Sequence, residues 1–172
     1  SQGTFVLGAG MSIPAAVAAT LEEPAMEEPI VAGVATDLGQ AKVTVVGVPD
    51  VPGKAAEIFT VVAKSGANVD MIVQNVSAAA TGRTDISFTV PKADAALALR
   101  ALAAEQAGIG FESLVHDDQI GKLSVVGAGM RTHSGVSATL FEALSTTGVN
   151  IEMISTSEIL SLIHISEPTR PY

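Results

Sequence analysis

Among the polar side chains that interrupt two apolar runs are Asn68 and Gln74 in "GANVDMIVQNVS" (66–77), and Asn150 and Ser157 in "GVNIEMISTSEI" (148–159). Amides and hydroxyls inside an apolar strand need partners when buried, and a shared ligand would supply them. Upstream of each run stands a glycine turn, with Asp50 and Gly53 in one copy and Met130 and Gly135 in the other. Backbone N–H groups at a helix start have no partner within the helix and sit at its positive end, so such a turn can hold a carboxylate. Plainer readings stand beside these. The glycines can simply make tight turns, Asp50 and Asp70 can cap elements or face water, Met71 and Met153 read as core, and His116 and His133 read as surface histidines. "HDDQ" (116–119) reads as a turn between strands rather than a metal site.

The elements that must position these residues are written twice. "AKVTVVGVPDVPGKAAEIF" (41–59) aligns with "GKLSVVGAGMRTHSGVSATLF" (121–141) when two residues are inserted in the second copy. In the first copy Val43, Val45 and Val46 mark a strand, and Ala55, Ile58, Phe59 and Val62 fall at helical spacing behind Pro52 and Gly53. Gly66 stops that helix. A second strand runs through Val69, Met71 and Val73, and "TDISFTV" alternates Ile86, Phe88 and Val90 with polar residues as a half-buried strand does. A helix opening at Pro91 puts Ala95, Leu99 and Leu102 on one face, and "FESLV" makes a last strand. The order β-α-β-β-α-β is the ferredoxin-like plan, an α+β fold with an antiparallel sheet carrying two helices on one face. The second copy repeats its beginning, with a helix on Val136, Leu140, Phe141 and Leu144, a stop at Gly148 and a strand over 149–154.

Composition narrows the function. The 172 residues are 48% hydrophobic with a net charge of −9, one Tyr, no Trp and no Cys. An acidic chain poor in aromatics argues against nucleic acid, and a small cationic or zwitterionic ligand fits better. Missing cysteines exclude disulfides and thiolate metal sites. Apolar runs break well short of a membrane span, and no basic-then-apolar leader is present, so a cytoplasmic home is expected. "GAGM" (127–130) lacks the lysine of a phosphate-binding loop and is not a full dinucleotide fingerprint, so no enzyme site is apparent. Fold alone names no function.

"MEEPIVAGVATD", "AKVTVVGVPDVPGKAAEIF", "NVDMIVQNVS", "TDISFTVP", "DDQIGKLSVVGAGM" and "GVNIEMISTSEI" follow one another from Met26 to Ile159. In that order they resemble the paired ACT domains that form the C-terminal regulatory region of bacterial aspartate kinases, most of all the actinobacterial regulatory (beta) subunit. The resemblance implies that residues 1–28 are the end of a kinase part and a linker, that 29–40 give a strand to the second ACT unit, and that 41–117 form the first unit. Residues 118–159 form an incomplete second unit, and 160–172 read as a foreign or frame-shifted tail, although "LSLIHIS" has the periodicity of a strand. With no closing helix, the second sheet is expected to leave an edge open.

The resemblance also implies a function: sensing of lysine and threonine for feedback inhibition of aspartate phosphorylation. The first, threonine-type site would use Asp50, Gly53, Ala55 and Gln74, closed by Asn150 and Ile151. The second, lysine-type site would use Met130, His133, Gly135, Val136 and Ser137 with Asn68, Val69 and Asp70, and Thr156, Ser157 and Glu158 alongside. Asp70 or Glu158 could meet the lysine ammonium. The parent kinase uses ATP and Mg; no cofactor is expected on this chain, which lacks the kinase domain and should be inactive alone. Its expected partners are the two amino acids and a second copy or a catalytic subunit, with neither nucleic acid nor membrane. Ser134 stands where the family usually has Pro. The competing reading is an ACT-type oligomerisation module that binds nothing.

Overall fold

The computed structural model describes residues 33–76, 80–127, 135–157 and 160–166. The chain divides into an inner unit, Gly39–Asp118, and an outer unit drawn from both sides of it, up to Leu38 and from Gln119 onward. In chain order the elements are β1 (Gly33–Asp37), β2 (Gln40–Pro49), α1 (Lys54–Lys64), β3 (Met71–Gln74), β4 (Arg83–Pro91), α2 (Lys92–Ala104), α3 (Gln106–Ile109), β5 (Ser113–Asp117), β6 (Ile120–Val126), α4 (Val136–Thr146), β7 (Asn150–Ser157) and β8 (Leu160–Ser166).

The inner unit holds one sheet in the order β3-β4-β2-β5, with every pair antiparallel. Val43, Val45, Ile86, Phe88 and Val90 send their side chains to one face, which is buried against Ile58 and Val62 of α1 and Ala95, Ala98 and Leu102 of α2. Phe59 meets Phe88 edge to face, ring centres 5.5 Å apart. On α1 Ile58 and Val62 are buried as the spacing predicts and Phe59 packs against them, whereas Ala55, expected on the same face, is exposed at the start of the helix. On α2 the face is rotated slightly: Ala98 is fully buried and Leu99 only packs against the core's border. A helix this rich in alanine presents two nearly equivalent apolar stripes, so the periodicity cannot choose between them.

Both units begin their first helix at a glycine and end it before one. Helix α1 gives way at Ser65 to Gly66, and α4 at Thr147 to Gly148, with φ 84° and 73° at the two glycines. Such left-handed positions favour glycine because it lacks a β-carbon.

The outer unit's sheet runs β1-β6-β8-β7. Strand β1 lies antiparallel to β6, from Gly33 opposite Val126 to Asp37 opposite Lys122, and so stands beside β6 as β5 stands beside β2. Strand β8 lies between β6 and β7, pairing antiparallel with both. The second sheet is expected to leave an edge open; "LSLIHIS" and β1 cover β6 on both sides, and the sheet ends at β1 and β7. The core here uses Ile120, Leu123, Val125, Leu140, Leu144, Val149 and Met153. Among the described residues this unit has one helix, α4, against the inner unit's α1, α2 and the short α3.

Candidate functional site

Strand β2 delivers its last residues to a tight turn. The Asp50 amide donates to Gly82 O at 2.9 Å and the Val51 amide to Pro49 O at 2.9 Å, which bends the chain before α1. Gly53 then caps the helix with φ 97° and ψ −19°, and the first helical bond runs from Glu57 N to Gly53 O at 3.0 Å. A glycine has no side chain to accept from the first helical amides, and none caps them here. The Lys54 amide turns back to Val51 O at 3.4 Å, and the amides that follow it face the space in front of the helix.

That space is a cavity of about 340 Å³ lined by Asp50, Gly53, Ala55 and Gln74, which are four of the residues expected in the threonine-type site. Its wall also contains Lys54, Thr84 and Ile86, along with Val48, Pro49, Val51 and Pro52. The Thr84 hydroxyl is buried and donates to Asn75 O at 2.5 Å. Thr84 and Ile86 are not among the expected site residues, although they alternate along β4 beside the strand that carries Gln74 and could have been found from the expected sheet order. The Lys54 ammonium pairs with Glu57 Oε2 at 2.8 Å, one turn into the helix.

The two remaining residues of that site, Asn150 and Ile151, open β7 in the outer unit, opposite Ser166 and Ile165 of β8. Asn68, Gln74 and Asn150 are exposed. The expectation that they sit buried inside a strand is corrected: Asn68 precedes β3, and β3 and β7 are the outermost strands of their sheets, with side chains free to face out.

The lysine-type residues divide similarly. Gly135 caps α4 with φ 102° and ψ −10°, close to the Gly53 geometry, and Thr139 N donates to Gly135 O at 2.9 Å as Glu57 N does to Gly53 O. Val136 begins α4 and Ser137 is exposed on its first turn. Thr156 and Ser157 end β7, paired with Ser161 and Leu160. Asn68, Val69 and Asp70 belong to the inner unit, where the Asn68 amide donates to Asp94 Oδ2 at 3.2 Å and the Asp70 amide to Thr89 O at 3.0 Å. Met130, His133 and Glu158 lie outside the described residues, as does Ser134. Among the described residues no three His, Asp or Glu side chains are grouped to hold a metal, and no helix is long and apolar enough to cross a membrane.

The family model described as ACT domain matches residues 43–106 and 123–167. That second span runs through β8, so the first seven residues of the ending read as foreign fall inside both the fold and the family match. An aspartokinase of Mycobacterium bovis is 51% identical over 157 residues, which are 91% of this chain and 35% of that protein. The chain thus spans about a third of the length of the curated relatives it matches. The crystal structure of the regulatory subunit of aspartate kinase from Thermus flavus is 42% identical with a TM-score of 0.72, covering 80% of this chain and 89% of that one. A crystal structure of aspartokinase alpha and beta subunits is 47% identical with a TM-score of 0.71, covering 80% and 88%. Two ACT-type sheets, two matching glycine-capped helix starts and this coverage of a regulatory subunit agree: the chain belongs to the ACT-domain regulatory regions of the aspartokinase family.

Proposed function

We infer that this chain binds threonine and lysine as feedback effectors of an aspartate kinase, the threonine site lying at Gly53 and the lysine site at Gly135. The observation that carries the reading is the cavity in which Asp50, Gly53, Ala55 and Gln74 meet in front of an uncapped helix start. A free amino acid suits it. Its carboxylate takes the helix amides, its ammonium takes the Asp50 carboxylate or the Gln74 amide oxygen, and a short hydroxylated side chain faces Thr84 and Ile86. At the second site Asp70 or Glu158 supplies the countercharge for a lysine ammonium, a charge-assisted bond of roughly 1.5–3 kcal/mol.

Inhibition of aspartate phosphorylation then requires a kinase domain, in the same polypeptide or as a catalytic subunit, with Asn150 and Ile151 of a second copy closing the threonine site. ATP and Mg belong to that kinase part, and the cytoplasm is where such biosynthetic feedback operates. Calorimetric titration with L-threonine and L-lysine tests the reading. Gln74→Ala should weaken threonine binding by roughly 1–2 kcal/mol, the worth of one well-placed hydrogen bond, and leave lysine binding as it was. Heat of binding for neither amino acid would favour a module that only assembles; equal threonine affinity in the mutant would remove Gln74 from the site.

A further inference from the structure

The turn that carries Asp50 and Gly53 hangs from an irregular stretch of β2. The ladder to β4 shifts between Val45, opposite Ile86, and Val48, opposite Thr84. Val46 and Gly47 of β2 thus stand against the single residue Asp85, which is a β-bulge. Gly47 has φ 67°, and a β-carbon there would lie 2.5 Å from the Glu112 side chain.

A bulge leaves its extra residue without ladder partners, yet the backbone N–H and C=O of Gly47 are both held by charged side chains of β4. Gly47 N donates to Asp85 Oδ1 at 2.9 Å, and Gly47 O accepts from Arg83 Nη1. The same guanidinium nitrogen donates to Gly110 O at 3.0 Å, and Arg83 Nε stands 3.4 Å from Glu112 Oε1. On the remaining side Glu112 N donates to Val46 O at 2.8 Å. Charge-assisted bonds of this kind are stronger than neutral ones. What they hold is the exit of β2, since Val48, Pro49 and Asp50 follow Gly47 directly and the Asp50 amide is bound next, by Gly82 O.

Among the described residues the outer unit shows no counterpart of this arrangement. In the aligned "VVG" of β6, Val126 stands opposite Leu160, and the ladder from Ile120 to Val126 runs without a shift. A leucine side chain can neither donate to a carbonyl nor accept from an amide.

We propose that Arg83 and Asp85 are positioning residues for the threonine-type site, gripping the Gly47 peptide so that the Asp50–Gly53 turn is already aimed when the amino acid arrives. This rests on reading that turn as an effector site. A site whose competent geometry is only partly populated binds with an apparent affinity reduced by that fraction.

The test uses the whole chain unmutated and as Arg83→Met and Arg83→Lys, with L-threonine and L-lysine titrations and amide hydrogen exchange followed by mass spectrometry. Arg83→Met should weaken threonine about tenfold, leave lysine unchanged, and speed exchange over residues 47–55 while β4 and α2 stay protected. Arg83→Lys keeps the charge and one donor group, and should restore part of the affinity. Unchanged threonine affinity in Arg83→Met overturns the proposal, and so does a loss of protection spread evenly through residues 39–118, which would make the clamp merely structural. Should Arg83→Met fail to fold, Asp85→Asn, which keeps an acceptor but no charge, takes its place: weaker threonine binding with faster exchange confined to residues 47–55 supports the clamp, and unchanged affinity or an even loss of protection overturns it. An unmutated chain that binds neither amino acid defeats the reading of the site, while the exchange pattern of residues 47–55 still decides whether the clamp holds the turn.

Discussion

Gly53 and Gly135 open their helices with almost the same backbone, φ 97° and ψ −19° against φ 102° and ψ −10°, yet the sheets behind them are assembled differently. The inner sheet takes all four strands from one continuous stretch, residues 40–117. The outer sheet takes β1 from before that stretch and β6, β7 and β8 from after it. The two turns can therefore offer a ligand the same row of amides while depending on chain segments of unequal reach. Local geometry at a repeat is set by a glycine and a helix start; its persistence is set by which strands brace it.

The sharpest way to break this pairing is to delete residues 160–172. Strand β8 is the neighbour of both β6 and β7, paired without a shift from Ile120–Ser166 to Val126–Leu160 on one side, and on the other from Asn150–Ser166 to Ser157–Leu160 with a one-residue shift between Ile151 and Met153. Without it β7 loses its ladder and β6 keeps only β1, and a short two-stranded ribbon is marginal in water. The deletion should strip exchange protection from α4 and β7 while residues 39–118 keep theirs. Protection of α4 surviving the deletion would mean that β8 is dispensable and that the outer unit is braced by something else.

A smaller change tests whether the two turns are as alike as their angles say. Adding a β-carbon at Gly53 or Gly135 meets no atom within 4 Å, so the cost is backbone strain alone. Left-handed geometry penalises alanine by about 1–2 kcal/mol, offset in part by the reduced freedom of the unfolded chain, leaving roughly 1 kcal/mol at each site. Denaturant titration of Gly53→Ala and Gly135→Ala should give similar losses, whereas calorimetry should split them, threonine suffering in the first and lysine in the second. Losses differing by much more than that figure would show that the two caps carry unequal strain.

How far the sequence speaks depends on whether a feature is local. The strand and helix order of residues 41–117, the buried face of α1 at Ile58 and Val62, and the glycine stops at Gly66 and Gly148 follow from spacing within a few residues, and the structure has them. The gathering of Asp50, Gly53, Ala55 and Gln74 was legible through resemblance and repeat offset rather than through spacing. What escaped is non-local. Asn68, Gln74 and Asn150 are exposed because β3 and β7 end their sheets, and a strand's place in a sheet is not written in its own residues. The grip of Arg83 on Gly47 joins residues distant in sequence across a bulge that "VVGVP" only hints at through its glycine. Strand β8 was visible as an alternating run, but its place between β6 and β7 depends on ladders to two other strands.

The finest distinction between the turns is a charge. Lys54 follows Gly53 and pairs with Glu57, while the corresponding places after Gly135 hold Val136 and Thr139, which carry none. Lys54→Val would give the first turn the second's composition. An exposed pair three residues apart on a helix is worth roughly 0.2–0.5 kcal/mol, and a cation at the positive end of a helix is itself mildly unfavourable, so the two effects nearly cancel. Folding stability should move by less than about 0.5 kcal/mol in either direction. Binding is another matter, because Lys54 lines the cavity that receives the amino-acid carboxylate, and an exposed charge acting on an anion is screened by salt. Threonine affinity in the unmutated chain should therefore fall as ionic strength rises, and in Lys54→Val it should start lower and vary less. Parallel salt curves for the two proteins would place the carboxylate away from Lys54 and leave the helix amides as its only hold, making the two turns equivalent in charge as well as in backbone.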